Sequence, residues 1–403
     1  MAVGALIGAY QEDDSGGLRA LSPLSGRTLI EYQARCAWAA GAAPIVVVVE
    51  RVPQALQDVF ERLRLDGVGV FPVSDVEDAV SRFEAGSTIL LIGDGIAPSA
   101  DLVNRLAEEL EPVVVTVPDD EPHEAYERID AQSRWAGVAV VDARLLGSTA
   151  AMLGDWDLQS TLLRRAIQDG AVRLPVGENV PEPVLVERSQ DVEQFGRRLL
   201  AASRGTRTDW VSRFILPPFE ELATEQLMET RVRPSWLIAA ALAATLVAAF
   251  CFLRGWLGAG LVLLVLASPL DIVAGRLATL RLRPLPARSA LRWALEPASA
   301  AALLTLAWWE MGQPRMWGTL VAAGATIAFA EAGRIEKGGL AADSGLWLFS
   351  RRSAIFAAVP FAIAGAWKSY FVALLIYAAV SFFVLQHVRH AALGVDGKLT
   401  EIG

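Results

Sequence analysis

The chain has 403 residues, of which 53% are hydrophobic, and its formal net charge is −9 at pH 7. A mean hydropathy of +0.38 is too high for one soluble domain, and the length is too great for one hydrophobic core. We expect no nucleic-acid partner, because proteins that bind nucleic acids present a basic surface and this chain is acidic overall.

The charged residues divide the sequence near residue 231. Acidic residues outnumber basic residues 37 to 20 before this position, whereas basic residues outnumber acidic residues 16 to 8 from it onward. The first part is therefore predicted to be an acidic soluble domain. The second part contains six charge-free apolar segments, at 235–253, 255–270, 297–309, 316–330, 353–367 and 369–386. Each can extend to a helix of about 20 residues, so the sequence predicts six membrane spans.

The distribution of basic residues predicts the orientation of these spans. With the first 230 residues in the cytoplasm, only Arg254, Arg315 and Lys368 of the basic residues between spans lie outside. This asymmetry predicts a multi-pass protein of the inner (plasma) membrane with both termini cytoplasmic. The N-terminus lacks a basic region and a long apolar core, and is interpreted as a strand rather than a signal peptide. Cys36 and Cys251 fall in different parts of the chain, so no disulfide is expected.

Short apolar runs alternate with amphipathic stretches over the first 200 residues. Runs such as APIVVVVE and STILLIGDG are typical of strands buried on both faces, and helices are expected near 29–40, 53–64 and 100–110. This alternation predicts a doubly wound α/β domain with a parallel sheet. The predicted domains are a soluble domain at 1–205, an amphipathic juxtamembrane linker at 206–234, an all-α membrane domain at 235–390 and a cytoplasmic tail at 391–403.

The segment LRALSPLSGRTLIEYQARCAWAAGAAPIVVVV resembles the nucleotidyltransferases that act on sugar and alcohol phosphates, and the resemblance extends over most of residues 1–200. It implies that Gly8 lies in a phosphate-binding loop. Arg19 takes the position of the family's lysine, and Asp94, in ILLIGDG, takes that of a metal-binding aspartate.

Other positions depart from the nucleotidyltransferase pattern. Glu12, Asp13 and Asp14 follow Gly8 and would repel a triphosphate, and the second metal-binding position falls on Leu185. In the nearby segment VLVERSQDVEQF, only Asp191 keeps a plausible place for a metal ligand. One aspartate cannot hold a two-ligand magnesium site alone, so we expect the soluble domain to bind CTP weakly or not at all.

The sequence DIVAGRLATLRLRPLPARSALRWALEP, residues 271–297, resembles the signature of the CDP-alcohol phosphotransferases. That signature is Asp-x-x-Asp-Gly-x-x-Ala-Arg, eight residues, and Gly-x-x-x-Asp-x-x-x-Asp. Its aspartate positions are occupied by Asp271, Ala274, Arg292 and Glu296, and Gly275 keeps the first glycine. The resemblance extends over about 209–389. Together with the N-terminal part, the chain is similar to the bifunctional enzymes that make a CDP-alcohol such as CDP-inositol and then transfer its alcohol phosphate.

In that family, four carboxylates hold two divalent ions that bridge the pyrophosphate of the donor. The four positions here sum to a charge of −1 instead of −4. We expect Arg292 to replace a metal ion and to hold Asp271 and Glu296 together. This pattern favours a pseudoenzyme that needs no cofactor and acts as an interaction or regulatory partner in phospholipid or phosphodiester synthesis.

A divergent active phosphotransferase is the alternative. Asp271 and Glu296 would then hold one Mg²⁺ or Mn²⁺, with Glu296 as the candidate catalytic residue and Asp94 as a metal ligand in the soluble domain. Phosphates of a CDP-alcohol or of CTP would be contacted by Gly275, Arg276, Arg292 and Arg351. A transporter is less favoured, because the intramembrane charges cluster at helix ends on one side.

The expected partners are membrane lipid and either a second copy of the chain or an active paralogue. The third and fourth apolar segments are rich in glycine and alanine, which favours close packing of membrane helices.

Overall fold

The computed structural model describes residues 2–13, 16–24, 26–152, 157–177, 180–187, 189–203, 207, 209–228, 230, 232–282, 290–312, 317–336 and 345–400. The chain divides into two compact units. The first comprises residues 1–202 with 280–283, and the second comprises residues 203–279 with 284–403.

The first unit alternates strands and helices in the manner that its sequence predicts. Its strands are β1 (Val3–Gly8), β2 (Pro23–Leu24), β3 (Arg27–Thr28), β4 (Ile45–Val48), β5 (Val70–Val73), β6 (Thr88–Ile92), β7 (Ile96–Ala97), β8 (Val113–Pro118), β9 (Ser133–Asp142), β10 (Val172–Pro175) and β11 (Val184–Leu185). Its helices are α1 (Leu29–Ala39), α2 (Gln54–Leu65), α3 (Val76–Ser81), α4 (Ala100–Ala107), α5 (Ala143–Ala150), α6 (Leu158–Gln168) and α7 (Ser189–Ala202). The helices expected near 29–40, 53–64 and 100–110 are thereby confirmed as α1, α2 and α4.

Seven strands form the main sheet, in the order β10-β8-β9-β6-β1-β4-β5. β1 pairs in parallel with β4 and β6, and β10 pairs in parallel with β8. β9 instead runs antiparallel to both β6 and β8. The sheet is therefore mostly parallel, whereas the sequence predicted a parallel sheet. Strands buried on both faces have the same continuous apolar pattern in either direction, so the pattern does not reveal the direction of β9.

Both faces of the main sheet are covered. Along β1, Ala5 and Ile7 belong to the apolar core on one face, and Leu6 belongs to the core on the other. Side chains of α1, α2 and α4 complete the first core, and side chains of α5 and α6 complete the second. This alternation is the expected result of the period of two in a strand, and it explains the uninterrupted apolar runs.

The described part of the second unit is helical. A short π-helix at Val211–Ile215 is followed by α8 (Pro217–Met228), α9 (Pro234–Leu253), α10 (Leu257–Ala267), α11 (Leu270–Leu280), α12 (Ala290–Glu310), α13 (Gly318–Glu336), α14 (Arg351–Ile363) and α15 (Trp367–Thr400). α9 packs against α10 and α12, and α13 packs against α15. Buried alanines such as Ala248, Ala302 and Ala323 allow the helices to approach closely in the main apolar core.

Among the described residues, three helical segments are long and apolar enough to cross a membrane, not six. They are Pro234–Leu253, Leu257–Leu280 and Trp367–His390. The predicted spans at 297–309, 316–330 and 353–367 fall in α12, α13 and α14. α14 has 13 residues, about 20 Å at ~1.5 Å per residue, against a hydrocarbon core of ~30 Å. α12 and α13 carry charged residues within their helical lengths, including Glu296 and Glu331.

Candidate functional site

The first candidate site lies where β1 and β6 end. These two strands are parallel neighbours, so their carboxyl ends meet at the same edge of the sheet, the usual place for a ligand in such folds. Gly8 is the last residue of β1, and Asp94 follows β6 by two residues. Asp94 is 6% exposed, and its Oδ2 atom accepts hydrogen bonds of 2.6 Å from the main-chain N–H groups of both Tyr10 and Gln11.

Asp94 therefore satisfies the main-chain donors of the loop that was predicted to bind phosphate. Two adjacent N–H groups converging on one point form an anion-binding concavity, and here the bound anion is the chain's own carboxylate. Burial raises the pKa of Asp94, and this effect exceeds the opposing effects of the hydrogen bonds from Gln11 and Tyr10 and of the charge on Arg19.

Gly8 is close to a side chain. A Cβ atom on Gly8 would lie 2.9 Å from Oε1 of Gln159, so a larger residue would displace that amide. Gln159 is buried; its Nε2 donates to the carbonyl of Ile92, and its Oε1 accepts from the hydroxyl of Tyr10 at 3.3 Å. The absence of a side chain at Gly8 thus permits the close approach of Gln159, a role that the sequence pattern does not predict.

Arg19 contacts the loop itself. Its Nε donates to the carbonyl of Glu12 at 3.2 Å, and its Nη1 donates to the side chain of Gln11 at 3.0 Å. Glu12 also forms an ion pair with Arg51, and Asp13 accepts a hydrogen bond from the N–H of Gly17. These two acids are therefore engaged locally, whereas Asp14 lies outside the described residues.

The positions expected to complete a metal site do not do so. Leu185 lies in β11, which pairs with β7, and Asp191 accepts a hydrogen bond from the N–H of Glu187 at the start of α7. Across the described ranges of both units, no group of three or more His, Cys, Asp or Glu side chains is placed to hold a metal ion.

The second candidate site surrounds Asp271, near the N-terminus of α11. Asp271 is 8% exposed, and its Oδ2 atom accepts hydrogen bonds from Arg351 at 2.9 Å and from Arg352 at 2.7 Å. Both arginines begin α14, where the helix dipole disfavours positive charge. A buried carboxylate at this point supplies the compensating charge, and the capping box of Ser350 and Ser353 supplies the hydrogen bonds that begin the helix.

Arg352 connects this carboxylate to a second one. Its Nη1 lies 3.1 Å from Oδ2 of Asp209, which is 1% exposed and whose Oδ1 accepts the N–H of Ser212 at the start of the π-helix. Arg351 reaches further, to Oε1 of Glu296 at 3.8 Å. The sequence pattern indicates Arg351 as a phosphate ligand but predicts no role for Arg352 or Asp209. The only signal for Arg352 was a pair of arginines directly before an apolar run.

Arg292 does not have the predicted role of holding Asp271 and Glu296. It is exposed near the start of α12, and within the described parts of the chain it forms no ion pair. Arg351 and Arg352 occupy the position beside Asp271 instead. The reason is geometric, because two guanidinium groups already contact the accessible oxygen of Asp271.

The remaining predicted residues lie on α11. Arg276 is buried and its guanidinium is 4.0 Å from the carboxylate of Glu220, in α8. Burial raises the pKa of Glu220 and outweighs the charges of Arg207, Arg276 and Arg352. Gly275 faces open space. Ala274, at the second aspartate position, is 0% exposed and packs with Ile238 and Leu295 in an apolar core.

A cavity of about 840 Å³ lies beside these residues. Charged side chains line one end of it, including Asp271, Arg292, Glu296, Arg334, Arg351 and Arg352. Apolar side chains line the other end. This arrangement accommodates an amphiphile. It does not fit a two-metal centre, because Asp271 is engaged by arginines and Ala274 offers no ligand.

Comparison with known proteins shows a structural likeness for part of the chain. No protein-family model matches the chain, and no curated protein matches it. A solved structure from Bacillus anthracis, assigned as a glucose-1-phosphate thymidylyltransferase and determined in complex with sucrose, is similar over 49% of this chain and 95% of its own. The sequence identity is 10% and the TM-score is 0.39.

Proposed function

We propose that this protein is a multi-pass membrane protein with a fused nucleotidyltransferase-like domain, and that it acts without catalysis as an interaction or regulatory partner in phospholipid or phosphodiester synthesis. The observation that carries the proposal is the placement of Asp271 between Arg351 and Arg352. In the CDP-alcohol phosphotransferases that residues 271–297 resemble, this carboxylate position binds metal.

Charge and geometry support the absence of catalysis. Two guanidinium groups neutralise Asp271 and Asp209, so the buried charges are balanced without divalent ions. A cation at 2.7 Å from the carboxylate would also repel an approaching Mg²⁺. Two-metal catalysis needs both ions to stabilise the attacking and leaving oxygens, and no group of three His, Cys, Asp or Glu among the described residues is placed to hold a metal ion.

The first unit supports the same proposal. The main-chain N–H groups of Tyr10 and Gln11 would have to release the Asp94 carboxylate before they bound a phosphate. Loss of those hydrogen bonds would offset the gain from binding CTP. We propose that this unit is retained as an interaction domain at the cytoplasmic face of the inner membrane, and that the partner is a second copy of the chain or an active paralogue.

A divergent active phosphotransferase is the second candidate. The exposed carboxylate of Glu296 at the charged end of the cavity supports it, because a catalytic base must reach a substrate hydroxyl. Mg²⁺ or Mn²⁺ would then bind at Asp271 and Glu296 only after Arg351 and Arg352 moved away from Oδ2 of Asp271. A CDP-alcohol would be the donor.

An assay of cytidine monophosphate release separates the two candidates. The full chain in lipid nanodiscs is incubated with Mg²⁺ or Mn²⁺, a panel of CDP-alcohols and acceptor alcohols. We expect no release above that of empty nanodiscs. Turnover that disappears in Asp271→Ala, and persists in the matched surface variant Asp58→Ala, would overturn the proposal of a pseudoenzyme.

A further inference from the structure

The residues that line the cavity of the second unit change from charged to apolar along α12. On α12, Arg292 and Glu296 line its charged end and Leu306 lines its apolar end. Leu306 follows Arg292 by 14 positions on α12, which corresponds to about 21 Å along the helix axis at ~1.5 Å per residue. One leaflet of a bilayer is roughly 15 Å deep, half of a hydrocarbon core of ~30 Å, so the cavity can hold an acyl chain along its length.

The helix α15 forms another wall of the cavity and runs between the same charged and apolar ends. Leu385 lines the cavity near the charged end, and Trp367 and Tyr370 line it at the apolar end. The segment Trp367–His390 of this helix is one of the candidate membrane spans. The apolar part of the cavity therefore runs beside a helix that is suited to hydrocarbon, and water is a poor occupant for it.

The charged end offers one cation and one anion that are not paired with each other. Arg292 and Glu296 are four residues apart on α12, but no ion pair joins them. An arginine that precedes a glutamate by four residues is the weaker orientation of such pairs. Glu296 is 60% exposed and its one ion-pair contact among the described residues is Arg351, at 3.8 Å.

These two charges favour a head group that carries both a phosphate and a primary amine. Arg292 complements the phosphate, and Glu296, about one helical turn away, complements an ammonium that donates hydrogen bonds. A quaternary ammonium is recognised by open aromatic faces. The nearby ring of Trp293 is already covered by the guanidinium of Arg334 at 5.4 Å. An anionic glycerol head group would bring no further cation to Glu296, which would keep only its contact of 3.8 Å with Arg351.

We propose that the cavity binds one phospholipid with an ethanolamine phosphate head group. Its phosphate contacts Arg292, its amine contacts Glu296, and an acyl chain extends toward Leu306 and Trp367. The inference rests on the membrane placement in the proposed function and is independent of whether the chain catalyses a reaction.

Native mass spectrometry of the full chain tests this inference. Protein in detergent micelles is supplied with dioleoyl phosphatidylethanolamine, phosphatidylcholine or phosphatidylglycerol, and the fraction of protein with one bound lipid is measured. We expect the ethanolamine lipid to be retained about tenfold better than the other two, the ratio that ~1.4 kcal/mol confers. Arg292→Gln and Glu296→Gln should each remove this preference, because each leaves half of the head group unpaired.

Lys368→Gln is the matched control, since Lys368 is an exposed cation near the apolar end of the same cavity. It should leave the preference unchanged. Ala330→Trp, which fills the cavity, should lower retention of all three lipids. If that variant does not fold, the variants of the two exposed charges still decide the result.

Equal retention of the three lipids, or an unchanged preference in both charge variants, would overturn the inference. A chain that stays in the aqueous fraction after lysis without detergent would instead refute the membrane placement. A membrane-bound chain without head-group preference refutes only the lipid site.

Discussion

Nη2 of Arg352 donates a hydrogen bond of 2.7 Å to Oδ2 of Asp271, although the two residues are 81 positions apart in the chain. The same guanidinium reaches Asp209 at 3.1 Å. One side chain thus connects the starts of α14 and α11 and the turn before the π-helix. Because the carboxylates of Asp209 and Asp271 are almost removed from solvent, each depends on this arginine rather than on water.

Replacement of Arg352 should strongly destabilise the second unit. Arg352→Met leaves Asp209 and Asp271 short of a cation, and breaking a buried ion pair costs about 3–5 kcal/mol. Thermal unfolding in detergent measures the loss. The control is Arg334→Met, since Arg334 is 51% exposed and pairs with an equally exposed Glu331; its loss should stay below about 1 kcal/mol. Similar melting temperatures for the two variants would contradict the prediction that the buried ion pairs of Arg352 stabilise the second unit.

Divalent ions should not stabilise the wild-type protein. A ligand raises the melting temperature only if it binds the folded state better than the unfolded state, and Asp271 is already neutralised by two arginines. Melting curves in millimolar Mg²⁺, millimolar Mn²⁺ and EDTA should therefore coincide. An increase of several degrees with either ion, lost in Asp271→Asn, would show that a metal site survives.

Removal of the Asp94 carboxylate should release two amides of the first unit. In Asp94→Ala, the N–H groups of Tyr10 and Gln11 lose their acceptor, at a cost of about 1–3 kcal/mol. Hydrogen exchange of the full chain should show faster exchange in a peptide covering these residues. Asp94→Asn keeps an acceptor oxygen and serves as the control, with a smaller change. Unchanged protection in the alanine variant would mean that water or another group replaces the carboxylate.

The stability contribution of Asp94 should fall as pH rises. Burial raises the pKa of this carboxyl in the folded state, so the folded protein binds the proton more tightly than the unfolded chain. Its contribution is fully present below the unfolded value of about 3.9 and is lost as pH rises through the folded pKa. The free energy of unfolding of the wild type minus that of Asp94→Asn should therefore become smaller as the pH is raised above about 4. Denaturant titrations of both proteins at several pH values measure this difference, and a difference that increases with pH would contradict the prediction.

The sequence predicted the first unit well because its signals are local. The apolar run at Ile45–Val48 and the periodicity of Leu29–Ala39 identify β4 and α1 without knowledge of any distant contact. The direction of β9 is not a local property, since it depends on which strands become its neighbours.

The site of the second unit was predicted only in part, for the same reason. Motif spacing located Asp271 and Glu296, and it suggested Arg292 as the nearby cation. The actual partners of Asp271, Arg351 and Arg352, come from a helix 80 residues away, and only tertiary packing brings them together. The number of spans was overestimated because charge-free composition was counted without the helix lengths that the fold allows.

The packing of Ala274 makes a carboxylate at this position unfavourable. A set of four carboxylates, as in the signature that residues 271–297 resemble, would require an aspartate at this fully buried position, beside Ile238 and Leu295. On its own, that substitution would place an unpaired charge in an apolar core at a cost of several kcal/mol, before any second substitution could help to bind a metal ion. The single substitution Ala274→Asp is therefore less stable than the starting point. Selection for stability would therefore disfavour any single mutation that places a carboxylate at position 274.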